Sequence, residues 1–218
     1  MKNRNFRTLK GLRQRQAGYT LVELAITVSI IAVLIVGTLT GVQRLLRSNN
    51  SNSTLTQTQV AVTNIAKVVA TATRTVYGTA GQDGTNVLAQ LGVWDPSAVT
   101  TSAANPPVRT VANPFSGAVT VSPNTALVGN AGTGSAAGTG YWYRIAGVPE
   151  DICPSLASSF VNTATGIYIQ NAPPADLSST AGTAYKTPGV AALNTTNLAT
   201  ACNGNTGGTV QIALFILT

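Results

Sequence analysis

Leu24 to Val42 reads LAITVSIIAVLIVGTLTGV, nineteen consecutive residues without a charge. As a helix rising about 1.5 Å per residue, this run would extend roughly 28 Å, enough to cross the hydrocarbon core of a bilayer. Ahead of it, residues 1–18 (MKNRNFRTLKGLRQRQAG) hold Lys2, Arg4, Arg7, Lys10, Arg13 and Arg15 with no acid, and behind it stand Arg44 and Arg47. Six cations before the run against two after it keep the N-terminus cytoplasmic and export the remainder. A cleaved secretory signal shares the basic start and the apolar stretch. It also needs a small-x-small cut site after the apolar run, and the Arg, Leu and Asn residues that follow offer none. An uncleaved anchor is the plainer expectation.

The tail supplies +6 of the formal charge of +7, and the other 200 residues carry seven cations against six acids. The basic pI of about 9.9 is therefore a property of the terminus. Nucleic-acid binding would need basic residues interleaved with aromatics on a folded face, so no nucleic-acid partner is expected. With no histidine and only six carboxylates, a His-bearing triad, a His-liganded zinc site and an imidazole acid–base pair are all excluded for this chain alone. Only 9% of residues are charged while 44% are hydrophobic, which excludes a disordered polyelectrolyte.

Glu23 interrupts this pattern, standing at the edge of the apolar run between Val22 and Leu24. An ionised carboxylate in hydrocarbon costs on the order of 2.5–3.5 kcal/mol, so such residues usually have a partner and a function. A boundary position also lets the side chain snorkel to the headgroups. The surrounding residues QAGYTLVE end the basic tail at Gly18 and open the apolar helix at Tyr19, four residues before Glu23.

At these positions, and through TLVELAITVSIIAVLIVG, the sequence resembles a type IV prepilin. The resemblance implies cleavage after Gly18 on the cytoplasmic side by a prepilin peptidase, methylation of the new Tyr19 amine, and a Glu23 that is the fifth residue of the mature chain. Two departures are plain. The mature chain begins with Tyr19 where most of the family has Phe, and no Pro lies inside the apolar helix. The eighteen-residue leader and the non-Phe first residue look like the type IVb branch, which includes toxin-coregulated, bundle-forming and conjugative thin pili. In place of the Pro, Gly37 and Gly41 are the weak points of the helix, since Gly costs about 1 kcal/mol relative to Ala there. Equally, these glycines allow close helix packing.

The implied function is that of a structural subunit polymerised through its N-terminal helix into a surface filament used for adhesion, aggregation, motility or conjugation. Minor pilin, type II secretion pseudopilin and inert membrane-anchored periplasmic domain are the alternatives. Expected partners are other copies of the chain in a helical homopolymer, the prepilin peptidase and N-methyltransferase, the inner-membrane pilus assembly machinery, and membrane lipid before assembly. No enzymatic activity, cofactor or metal is expected. The protein is placed in the inner membrane before assembly and in the extracellular pilus, or fimbrium, afterwards.

Four segments follow: a cleaved leader (1–18), a transmembrane and filament-core helix (19–44), an amphipathic second half of that helix (45–77) and a globular head (78–218). In the second half, Leu55, Val62, Val69 and Val76 recur every seven residues with Ile65 and Ala72 between them, which gives one apolar helical face. Tyr77–Gly78 and the GTAGQDG that follows supply the stop. The polar run Ser48–Thr54 reads as a kink, a local unwinding or a solvated helix.

The head alternates short apolar runs with Gly, Thr, Asn, Ser and Pro, the composition of strands and long loops. Tyr141–Val148, Thr165–Gln170 and the terminal GTVQIALFILT are the clear strands, and in the last of these Val210, Ile212, Leu214 and Ile216 alternate with Gln211, Ala213, Phe215 and Leu217. Between the first two, Ile152, Leu156 and Phe160 lie four apart behind Glu150 and Asp151, as in a short helix with acids in its first turn. Asp95–Gly140 carries no assignable element. The class is α+β with an antiparallel sheet. By the resemblance, the second half of the long helix packs on that sheet and a disulfide bounds a C-terminal region. Cys153 and Cys202, both exported, are expected to form that disulfide and to staple the C-terminal strand to the short helix. No His exists to activate either thiol for catalysis. Gly132–Gly140 (GTGSAAGTG) superficially resembles a phosphate loop but lacks the following Lys-Ser/Thr, and reads as a connection.

Overall fold

The computed structural model describes residues 19–71, 82–123, 140–172, 177, 182–190, 192–203 and 207–217. The leader with Gly18, the expected helix stop at Tyr77–Gly78, the positions of Ala72 and Val76, and all of the Gly132–Gly140 segment but its last residue lie outside them. The chain divides into two compact units, Met1–Arg44 and Leu45–Thr218.

Helix α1 runs from Leu21 to Thr71, 51 residues without a break. It passes through the polar run Ser48–Thr54 as helix, and hydroxyls at the end of the run and just past it bond back to the preceding turn. Thr54 Oγ1 donates to the Asn50 carbonyl at 2.8 Å and Thr56 Oγ1 to that of Asn52 at 3.0 Å. In the first unit, the large apolar side chains from Leu21 to Val42 are each at least half exposed. The helix is apolar all round there, and long and apolar enough to cross a membrane.

In the second unit, α1 turns one face into the core, and the expected Leu55, Val62, Ile65 and Val69 all lie on it. Thr54, Thr58, Ala61 and Ile65 are the buried residues, and Leu55, Val62, Val68 and Val69 are partly buried beside them.

The sheet is antiparallel with seven strands: β1 (Val99–Thr101), β2 (Arg109–Ala112), β3 (Ala118–Pro123), β4 (Gly140–Pro149), β5 (Gly166–Gln170), β6 (Thr183–Lys186) and β7 (Thr209–Leu217). Their spatial order is β1-β2-β3-β4-β7-β5-β6. The last strand in sequence thus occupies the slot between β4 and β5, with Tyr143 facing Leu214 on one side and Ile167 facing Leu214 on the other. Helix α2 (Thr85–Gln90) and a 3-10 turn (Pro96–Ala98) precede β1, α3 (Cys153–Ser159) links β4 to β5, and α4 (Thr195–Asn203) leads into β7.

The three strands expected from sequence are present. Because β7 is central, both of its faces are buried, from Val210 to Ile216. Val210, Ile212, Leu214 and Ile216 join Tyr141, Tyr143, Ile145, Ile167 and Ile169 in the main core with Ala61 and Ile65 of α1. Ala213 and Phe215 join Trp142 and Tyr168 in a second cluster, where the Trp142 and Phe215 rings lie 5.2 Å apart. The unassigned stretch from Asp95 onward contains the 3-10 turn and β1–β3. Strands of three, four and six residues are too short to show a period of their own. Glu150 and Asp151 precede α3 and do not occupy its first turn, since the helix begins at Cys153.

A bulge in the β4–β7 pairing falls between Ile145 and Val148. Gly147 has φ +70° there, and a Cβ on Gly117 would strike the Ala146 carbonyl oxygen. Asn113 fills the remaining space, its amide donating to Ala146 O at 2.7 Å while its Oδ1 accepts from the Phe115 amide at 2.8 Å.

Candidate functional site

The first turn of α1 carries the chemistry that its sequence marks. Leu21 is the first helical residue, which makes Thr20 the cap and Glu23 the third position. The Glu23 amide donates to Thr20 Oγ1 at 3.3 Å, so one of the unpaired donors of the first turn is satisfied. This is half of a capping box, and the signal Thr-x-x-Glu was present at residues 20–23 but absent from the sequence reading. Thr27 Oγ1 closes the next turn with bonds of 3.0 Å to Glu23 O and 2.9 Å to Leu24 O. Tyr19 is 79% exposed and the Glu23 side chain makes no ion pair among the described residues. A carboxylate in the first turn is favoured by the partial positive charge of the helix N-terminus.

Gly37 and Gly41 are both helical, and nothing lies within 4 Å of a Cβ built on either. Thr40 Oγ1 donates to the Gly37 carbonyl at 2.9 Å. The glycines therefore present shallow open notches along an otherwise bulky apolar helix.

Side chains of Arg47, Gln57 and Asn64 tie α1 to its own unit. Arg47 forms an ion pair with Asp151 at 2.6 Å, with both side chains about half exposed, a geometry worth at most about 1 kcal/mol. The Gln57 amide donates to Ala112 O and that of Asn64 to Val93 O, each at 3.0 Å. Deeper in, the Trp94 indole N–H donates to the Tyr143 hydroxyl at 3.2 Å. Burial pushes the Tyr143 phenol up to about 12, an effect the indole N–H partly offsets. At the surface, the hydroxyl and amide of Ser97 hold Asp95 below the usual carboxylate range.

Cys153 and Cys202 form the disulfide, with Cα atoms 5.7 Å apart and a sequence separation of 49. It joins α3 to α4, whereas the sequence reading had it staple the C-terminal strand to the short helix. The difference arises because Leu198 and Cys202, four apart, lie on the buried face of a helix that ends before β7 begins. Within the loop so closed, Lys186 donates to the carbonyls of Val161 at 2.6 Å and Ala164 at 2.7 Å. On the sheet face away from α1, buried Arg144 lies with its guanidinium carbon 5.1 Å from the centre of the Trp142 ring and donates to Ser122 Oγ at 3.3 Å. No group of three His, Cys, Asp or Glu side chains gathers among the described residues.

Comparison with known proteins gives two family models. The family described as PilS N terminal matches residues 55–215, and the prokaryotic N-terminal methylation motif matches residues 13–39. Among solved structures, the chain is similar to the type IV b pilin from Salmonella typhi, with 20% identity and a TM-score of 0.51 over 75% of this chain and 97% of that one. It is also similar to TcpA, a type IV pilin from the El Tor biotype of Vibrio cholerae, with 17% identity and a TM-score of 0.48 over 78% of this chain and 98% of that one. No curated protein matches the sequence.

Proposed function

The chain belongs to the PilS N terminal family, and from that premise we propose that it is the structural subunit of a type IVb pilus. Prepilin peptidase cuts between Gly18 and Tyr19, the new amine is methylated, and the apolar helix holds the subunit in the inner membrane until the assembly machinery adds it to a helical homopolymer. The filament is then displayed outside the cell. In this reading residues 1–18 are the leader, 19–44 the span and filament-core helix, 45–77 its amphipathic continuation and 78–218 the head.

One observation carries the reading: α1 from Leu21 to Val42 exposes apolar side chains on every side, and this segment coincides with the methylation motif. Such a surface is stable only in lipid or against other apolar helices, so it suits a subunit that passes from one environment to the other. Glu23 then has a use in the polymer. The Tyr19 amine of an incoming subunit and the Glu23 carboxylate of a neighbour pair within the apolar core, each offsetting the desolvation of the other, and so set the register of otherwise slippery helices. A methylated amine is still cationic and keeps the pairing.

Purified surface filaments subjected to N-terminal sequencing test the reading. The expected sequence begins at a methylated Tyr19, and Gly18→Glu leaves the precursor uncut because the added side chain clashes in a narrow peptidase site. Residues 1–18 retained on assembled subunits would overturn it.

A further inference from the structure

The region enclosed by the disulfide contains a polar groove apart from the apolar helix on which the proposed assembly rests. Two clefts, of about 410 Å³ and about 370 Å³, adjoin along β6 and share Thr187 and Val190. The first is walled by Asn162, Thr163, Thr165 and Lys186, the second by Tyr185 and the residues from Asn194 to Asn197. Hydroxyls and amides dominate the lining, and Lys186 is its sole charge, with no carboxylate among the lining residues.

Lys186 gives the groove its chemistry. Its ammonium has three donors, of which the Val161 and Ala164 carbonyls take two. It forms no ion pair with any described acid. The third donor therefore belongs to a cation without a counter-charge among the described residues, beside a groove of neutral hydroxyls. A carboxylate is the complement, because a charge-assisted hydrogen bond is about twice as strong as a neutral one.

The remainder of the ligand follows from the walls. A protein partner would be expected to bring an aromatic or aliphatic anchor into an apolar pocket, whereas here Val190, Leu193, the buried Tyr185 and three alanines are interspersed with hydroxyls and amides. Strand addition is also closed off. The outer edge of β6 already pairs Lys186 with Leu193, and the Asn194 amide donates to Tyr185 O at 2.9 Å. A hydroxylated ring with one carboxylate matches both the neutral polar walls and the single cation. We propose that this groove binds an acidic sugar, its carboxylate on Lys186 and its ring hydroxyls on Thr165 and Thr187.

The inference stands apart from filament assembly, because it is read on the monomer. Full-length protein in detergent micelles is titrated with glucuronate, glucose and N-acetyl-aspartate amide, with ligand-observed NMR as the readout. Saturable binding of glucuronate is expected, with glucose about tenfold weaker. Lys186→Gln, which still donates one bond to the two carbonyls, should erase the preference for glucuronate. Thr187→Val, which leaves the Lys186 ammonium and its two carbonyl partners in place, should weaken both sugars while the near-UV circular dichroism stays native. No saturable glucuronate signal, equal binding of the two sugars, or an unchanged preference in a folded Lys186→Gln would overturn the assignment. Tighter binding of the aspartate amide than of glucuronate would overturn the sugar as the ligand class.

Discussion

Thr20 and Glu23 are joined by a 3.3 Å hydrogen bond from the amide of the acid to the hydroxyl of the cap, so the helix begins one residue after Tyr19. The bond uses only the backbone of Glu23 and leaves its carboxylate available to a neighbour. Cap and carboxylate are therefore separable by mutation. Thr20→Val is expected to cost about 1 kcal/mol of local helix stability. It should fray the first turn in micelles, seen as faster amide exchange at residues 21–23, while filaments still form in reduced number. Complete loss of filaments would mean that the cap itself is indispensable.

Tyr143 makes the head sensitive to alkali. Burial raises its phenol to about 12 in the fold, against the usual 10. Below pH 10 the group is protonated in both states and its contribution is constant. Between pH 10 and 12 the unfolded chain loses the proton while the folded chain keeps it, so stability falls as pH rises, by about 3 kcal/mol in all. Tyr143→Phe should flatten that part of the slope in urea titrations at pH 9 and pH 11.5. It should also cost about 1 kcal/mol at neutral pH, because the Trp94 indole loses its acceptor. Tyr168 is raised by burial as well, so some alkaline slope remains in the variant.

The disulfide closes a loop of 49 residues that contains β5 and β6, for which the chain-entropy model gives about 4 kcal/mol. Replacing both Cys153 and Cys202 by Ser should lower head stability by roughly that amount. It should loosen α4 against α3 before it disturbs the β4–β7 pairing. Alkylation of the native protein without reductant should label neither thiol.

Gly37→Ala and Gly41→Ala separate the two meanings of these glycines. Nothing within 4 Å opposes the added methyl on the single chain, and each change should raise helix stability by up to about 1 kcal/mol. If the notches receive neighbouring helices, filament yield should fall even as micellar helix content rises. Unchanged yield with both substitutions would exclude tight packing at these positions.

The legible parts of this chain were those with a strong local signal. The apolar helix could be read because nineteen uncharged residues permit few alternatives, and β4, β5 and β7 because β-branched, aromatic and aliphatic residues cluster in them as YWY, IYI and IALFIL. What was missed depends on distant neighbours. Strands β1–β3 and β6 are short and lack such a cluster, and are specified by their partners in the sheet. On α1 the expected Leu55, Val62, Ile65 and Val69 meet the core, but Thr54 and Thr58 are buried beside them by what packs on them, which hydropathy does not reveal. In the first turn of α1, attention to the charge of Glu23 hid the capping role of Thr20.

Glu23 carries the last prediction. Its side chain is exposed on the single chain and has no cation among the described residues, so nothing in the isolated fold requires a carboxylate there beyond the favourable field of the helix terminus. That field is worth about 0.3–1 kcal/mol, too little to set against the cost of taking a charge into hydrocarbon. In the polymer we propose, a Tyr19 amine arrives buried and needs an anion, which Glu23 would supply. Glu23→Val should insert in the membrane at least as well as the native chain and be cut normally after Gly18, yet give few or no filaments. Glu23→Asp should be intermediate, because a side chain shorter by one methylene brings the carboxylate less far toward the neighbour. Filament yield from cells with no other pilin, measured beside the processed fraction, decides between the two roles. Abundant filaments from Glu23→Val would leave the residue as a helix-end carboxylate that snorkels to the headgroups.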